Sequence, residues 1–220
     1  MNTKRLGPVS VAALALVCSS TLSANALAGQ GASVGVVPNG QSAFEFVSRA
    51  NQDGSNVTHF GYLTRLAGLN DSDLFSDPEN RTEATARFTF VAQTSLSSRQ
   101  ELGNLIVTAA PGTATFYFHE TPGADFDDPD SFADGQEVAT FSMRFHNVLN
   151  VQKTDEGISS AAIELSQQTV GSFQLNDRPF RFGHKRSQLW LQANGQGTRT
   201  QVNPLEAFFL FGGTGVATQP

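Results

Sequence analysis

Cysteine is almost absent from this sequence. The single cysteine, Cys18, lies in an N-terminal segment that we expect to be removed, so the predicted mature chain has none. Such a chain has no disulfides, no thiol nucleophile and no thiolate metal site. Its fold must therefore be held together by its hydrophobic core, which roughly 190 residues can supply as one domain.

The N-terminal segment has the pattern of a secretory signal. Lys4 and Arg5 precede an apolar run, Val9–Val17, and small residues follow at Ala24–Ala28. The run is too short to cross a bilayer, which argues against a membrane anchor and for a secreted or periplasmic protein. The sequence predicts a signal peptide over residues 1–28, a flexible leader over 29–41 and a single domain over 42–216.

Basic residues are scarce as well. Without Lys4 and Arg5, the remaining 12 basic residues face 20 acidic residues, which gives a net charge of −8. This balance disfavours nucleic acid as a partner, because binding to phosphates requires clustered positive charge. The sequence does not indicate an oligomeric state.

Helical periodicity longer than two turns is also missing. Short segments instead alternate between apolar and polar residues and are separated by turn residues, and aromatic-x-aromatic units recur along the chain. With 18 Phe against two Tyr and one Trp, phenylalanine is the expected filler of the core. The pattern predicts an all-β fold, either an antiparallel β-barrel of about 8–10 short strands or a β-sandwich. Short links between strands favour the barrel in up-and-down order.

The clearest hairpin runs from Thr113 to Leu149. Its two arms share an apolar stripe that we expect to lie in the core. The stripe consists of Phe116, Phe118, Phe141, Met143 and Phe145.

The opposite face of this hairpin carries candidate catalytic residues. They are Tyr117, His119, Arg144 and His146. If this face lined a cavity, the four side chains could transfer protons or bind an oxyanion. If phenylalanine fills the interior instead, the same face points to solvent.

The loop between the two arms is strongly acidic. It contains five aspartates, Asp125, Asp127, Asp128, Asp130 and Asp134. Such oxygen ligands would suit calcium, the one possible cofactor that the sequence indicates, although the spacing is not that of an EF-hand. The alternative is a solvated loop without a metal. On either interpretation, Phe126 and Phe132 should hold the loop against the protein body.

Glycine pairs near the C-terminus suggest breaks between strands, at Gly195–Gly197 and at Gly212–Gly213. The sequence GGTG at Gly212–Gly215, the many strands and the Phe-rich alternation resemble the allene oxide cyclase and dirigent barrels. In the dirigent pattern GGTG precedes further strands, whereas here it lies near the end of the chain. The resemblance is architectural. It implies an eight-stranded barrel and assigns no catalytic residue.

Two functions remain open on the sequence alone, and whether the protein is an enzyme is undecided between them. The first is a secreted non-enzymatic β-domain with a binding or structural role, with or without a calcium-stiffened loop. The second is a small barrel enzyme or carrier, a cyclase, isomerase or lipocalin-like protein, that acts on an apolar small molecule in a cavity lined by the four candidate residues. Signatures of serine hydrolases, zinc proteases and phosphate loops are absent from the sequence.

Overall fold

The computed structural model describes residues 31–218, which form an all-β domain. The predicted signal peptide and the first two residues of the predicted leader lie outside the described residues. The strands are β1 (Ala32–Val34), β2 (Ser42–Asp53), β3 (Asn56–Leu66), β4 (Phe88–Ser95), β5 (Ser98–Leu102), β6 (Leu105–Phe118), β7 (Gln136–Lys153), β8 (Glu156–Gln167), β9 (Ser172–Leu175), β10 (Arg178–Phe182), β11 (Gln188–Gln201) and β12 (Glu206–Thr218). The helical segments are α1 (Asp71–Leu74) and two 3-10 helices, Glu83–Thr85 and Pro129–Ala133.

Eight of the strands close into an antiparallel barrel. The order around the ring is β4-β3-β2-β12-β11-β8-β7-β6, and pairing of β4 with β6 closes it. Strand β5 pairs with β6 outside the ring. The prediction of an antiparallel barrel in up-and-down order is therefore confirmed, and the sandwich alternative is wrong.

A small second sheet has the order β1-β10-β9. Strand β1 pairs in parallel with β10 and buries Val34. The segment predicted as a flexible leader thus contains a short strand at Ala32–Val34. The apolar–polar alternation of β1 covers too few residues to be distinguished from a loop. The strand that pairs with β1 lies almost 150 residues further along the chain.

Phenylalanine rings fill the barrel, and glycines on the facing strands make room for them. A β-carbon at Gly213 would lie 2.6 Å from the Phe46 ring, and one at Gly197 would lie 2.4 Å from the Phe209 ring. The two glycine pairs therefore lie within β11 and β12, and the prediction that they break strands is wrong. Glycine weakens a strand in isolation, but here it accommodates a neighbouring ring.

The hairpin strands β6 and β7 are longer than the alternation predicts. Strand β6 runs without interruption through Pro111, which lies between the residues that pair with β4 and those that pair with β5. A proline, which has no backbone N–H to donate, is tolerated where a strand changes partner. The predicted apolar stripe of the hairpin is confirmed, since all five of its side chains are buried.

Candidate functional site

The predicted polar stripe does not line a cavity. Arg144 and His146 are exposed on the outside of the barrel, opposite Pro111 and Ala109. Tyr117 is half-buried and lies six residues from Pro111 along β6, a distance of roughly 20 Å. The prediction that these side chains form one site is therefore wrong. The interior is taken by the larger apolar side chains, as is usual in a filled barrel.

His119, the fourth member of that stripe, is buried and connects the acidic loop to the barrel. Its Nε2 lies 2.7 Å from Thr89 Oγ1, and the Thr89 hydroxyl donates to the backbone oxygen of Phe132 at 2.5 Å. Burial lowers the pKa of His119, an effect opposed by the nearby backbone of Phe132 and by the charge of Asp134. Since that hydroxyl hydrogen is already used, Thr89 accepts from His119 Nε2–H, which gives this histidine a structural role.

The acidic loop is held by aromatic packing. Phe132 is fully buried, and its ring centroid lies 5.2 Å from that of Phe60 and 5.0 Å from that of Phe126. This contact confirms that Phe126 and Phe132 fix the loop, which covers the outer face of β3.

The same loop does not gather its aspartates around a common point. Ser131 Oγ bonds to the backbone of Asp125 and Asp128, and Asp125 Oδ1 accepts from the backbone N–H of Asp127. Within residues 31–218, no group of three or more His, Cys, Asp or Glu side chains is placed to hold a metal ion. The five candidate calcium ligands are therefore not assembled as a site.

His59 is a site residue that the sequence analysis does not single out. It lies on β3 and points into the barrel, where its side chain is 6% exposed and its Nε2 has no hydrogen-bond partner. Its ring centroid lies 4.9 Å from that of Phe145. Burial lowers the pKa of His59 to about 4, so the imidazole is neutral at pH 7. An unpartnered polar atom in a buried position is unusual and calls for a physical explanation.

The alternation of β3 separates His59 from Phe60 and Tyr62, but it does not tell which face is inside. Both faces are buried, because the acidic loop covers Phe60 and Tyr62 from outside. A rule that places the larger apolar side chains inside the barrel therefore fails for this strand.

Three cavities that share lining residues lie between one end of the barrel and its interior, and His59 lines two of them. The inner cavity, about 40 Å³, has His59, Phe145 and Phe211 in its lining. The middle cavity, about 50 Å³, shares these three residues and also contacts Asn147. Together the two are smaller than the cavity of about 150 Å³ that holds benzene in another protein.

The third cavity, which we call the mouth, lies among the turns at this end and has a volume of about 260 Å³. Its lining includes five residues that also line the middle cavity, namely Gln52, Arg99, Ile106, Leu149 and Phe209.

The charges of the mouth are balanced. Its lining contains two arginines, Arg99 and Arg199, and two acids, Asp155 and Glu156. Arg199 contacts Asp155 at 2.6 Å, and Arg99 contacts the nearby Glu101 at 2.6 Å. Both cations therefore already have acidic partners, and the mouth offers no unpaired positive charge to an anionic ligand.

No protein family, curated protein or solved structure was found to match this chain. The resemblance to allene oxide cyclase and dirigent barrels thus stays a prediction. Within residues 31–218, no helix has the length and apolar character needed to cross a bilayer.

Proposed function

We propose that this protein is a secreted, non-enzymatic binding protein that takes a small, neutral and mostly apolar molecule into the mouth of its barrel. The observation that carries the proposal is the mouth, which shares five lining residues with the middle cavity, and the middle cavity is in turn lined by the buried imidazole of His59. Its volume is close to the lower end of the range for small-molecule sites, about 300–1,000 Å³. Its floor is apolar, formed by Ile106, Leu149 and Phe209.

The scarcity of ionisable groups in the inner and middle cavities favours binding over catalysis. Among the residues that line them, only His59 and Arg99 can ionise. Acid–base catalysis usually relies on a positioned acid and base with matched pKa values. A single neutral imidazole among phenylalanines is better suited to orienting a ligand.

The balanced charge of the mouth supports a neutral ligand. An anionic ligand would have to displace Asp155 from Arg199, and a cationic one would have to displace Arg199 from Asp155. A neutral molecule leaves this pair intact and gains free energy from burying its apolar surface. The secretory signal predicted from the sequence supports a role for this binding outside the cytoplasm.

The proposal can be tested with N-phenyl-1-naphthylamine, a neutral apolar probe whose fluorescence rises when it leaves water. We expect fluorescence to rise with the wild-type mature protein and to be lost in Ala207→Phe, which places a ring in the mouth. The matched control is Ala162→Phe, which adds the same ring to the outer face of β8 and should bind like the wild type. No fluorescence change with the wild type, or equal binding by Ala207→Phe, would contradict the proposal.

A further inference from the structure

The imidazole of His59 lies between two mostly apolar cavities of the barrel interior. It contacts both the inner and the middle cavity, whose other lining side chains include Phe145 and Phe211. Its Nε2 is buried and has no partner among the described residues. A buried polar atom without a hydrogen bond is unfavourable. A ligand that hydrogen-bonds to His59 Nε2 removes this cost, so it gains more binding free energy than it would from a hydrogen bond to an exposed group that already contacts water.

We propose that the ligand carries a slender, unbranched chain ending in a hydroxyl group, and that this hydroxyl hydrogen-bonds to His59 Nε2 from the middle cavity. This inference rests on the proposed function, since the chain would enter through the mouth. The rest of the ligand would remain on the apolar floor of the mouth.

The size of the cavities determines the shape of the group that can reach His59. A buried water needs about 10–15 Å³ on the same measure, so the middle cavity of about 50 Å³ has room for a few heavy atoms in a row. A benzene-sized ring needs about 150 Å³ and would not fit without rearrangement of the phenylalanines. An unbranched alkyl chain is the narrowest apolar group that meets this limit.

The chemistry of the imidazole determines the terminal group. In a neutral imidazole one nitrogen donates a hydrogen bond and the other accepts one. A hydroxyl both donates and accepts, so it pairs with His59 Nε2 in either tautomer. A carboxylate or an ammonium group would bring a charge into a cavity lined mostly by apolar side chains, where desolvation is costly and the one cation, Arg99, is already paired with Glu101. The lowered pKa of His59 agrees with this, because it shows that the same surroundings disfavour the charged imidazole.

The polar side chains that line the two cavities leave the Nε2 of His59 unpaired. Asn147 Oδ1 accepts a hydrogen bond from Ser159 Oγ, while Ser48 lies in the lining of the inner cavity. None of these side chains is bonded to the His59 Nε2.

The test compares two probes of equal chain length in the full mature protein. 1-Hexanol and n-heptane differ by a terminal hydroxyl in place of a methyl group, and each is titrated as a competitor against N-phenyl-1-naphthylamine. We expect the affinity ratio of hexanol to heptane to fall about tenfold when His59→Leu removes the imidazole. The matched control His146→Leu, at an exposed histidine, should keep the wild-type ratio.

A second measurement needs no variant, so it remains valid if His59→Leu does not fold. We expect 1-hexanol, and not heptane, to shift the ¹⁵N resonance of His59 Nε2. An unchanged ratio in His59→Leu, or an unshifted resonance, would overturn the inference. Binding of the fluorescent probe without competition from either chain would also overturn it while preserving the proposed function. Failure of the fluorescent probe itself to bind would overturn both.

Discussion

Acidification should destabilise this protein through His59. The pKa of this histidine is about 4 in the folded state and about 6.5 in the unfolded chain. Between these two pH values His59 is protonated in the unfolded chain and neutral in the folded protein. The free energy of unfolding therefore falls as the pH falls. The stabilising contribution is fully present above about pH 6.5, declines below it and is fully lost below about pH 4.

The expected loss can be worked out from the two pKa values. At 1.36 kcal/mol for each pKa unit, the difference corresponds to about 3 kcal/mol between pH 7.5 and pH 4. This is a large part of the 5–15 kcal/mol that stabilises a typical domain. Burial also lowers the pKa of His119, so its effect has the same sign.

The measurement is urea unfolding of the wild type and of His59→Leu at a series of pH values from 7.5 to 4. Carboxylates and His119 titrate in both proteins, so the difference between the two curves isolates His59. We expect that difference to change by about 3 kcal/mol across the series, whereas the exposed-site control His146→Leu should follow the wild type. Parallel curves for the wild type and His59→Leu, or an NMR titration that places the pKa of His59 near 6.5, would refute the reasoning.

Two further predictions concern packing. Gly213→Ala should lose about 1–3 kcal/mol, because its β-carbon would lie 2.6 Å from both Gln192 O and the Phe46 ring. In Gly212→Ala the added β-carbon meets nothing closer than 4.0 Å, so its free energy of unfolding in urea should stay within about 1 kcal/mol of the wild type. Equal losses of stability in the two variants would contradict the fit of the Phe46 ring to Gly213. Phe132→Ala should lose about 3–5 kcal/mol and expose the acidic loop to limited proteolysis, because Phe132 is the buried centre of the loop's own aromatic cluster. The exposed Asp130→Ala should change stability by under about 0.5 kcal/mol, and a Phe132→Ala protein as resistant to protease as the wild type would refute this account of the loop.

The strands and the core could be predicted from the sequence because alternation of phenylalanine with polar residues is a local signal. Phe116 and Phe118 share a face in any register, and that face is buried.

The candidate site could not be predicted in the same way because it depends on long-range pairing. His59 enters the cavity only because the acidic loop covers the opposite face of β3, more than 60 residues further along the chain. The separation of Tyr117 from Arg144 depends on the register between β6 and β7, which alternation leaves undetermined. Gly213 of β12 suggests a strand break until it is known that the Phe46 ring lies where its side chain would be.

The closing seam of the barrel has a consequence for how the chain folds. Strand β2 pairs with β12, so Ser42 bonds to Thr214 across 172 residues of chain. Contacts between such distant segments carry a large loop-closure cost and are associated with slow folding. The ring cannot close until β12 has been synthesised. In this topology the completion of β12 is the earliest moment at which the barrel can form.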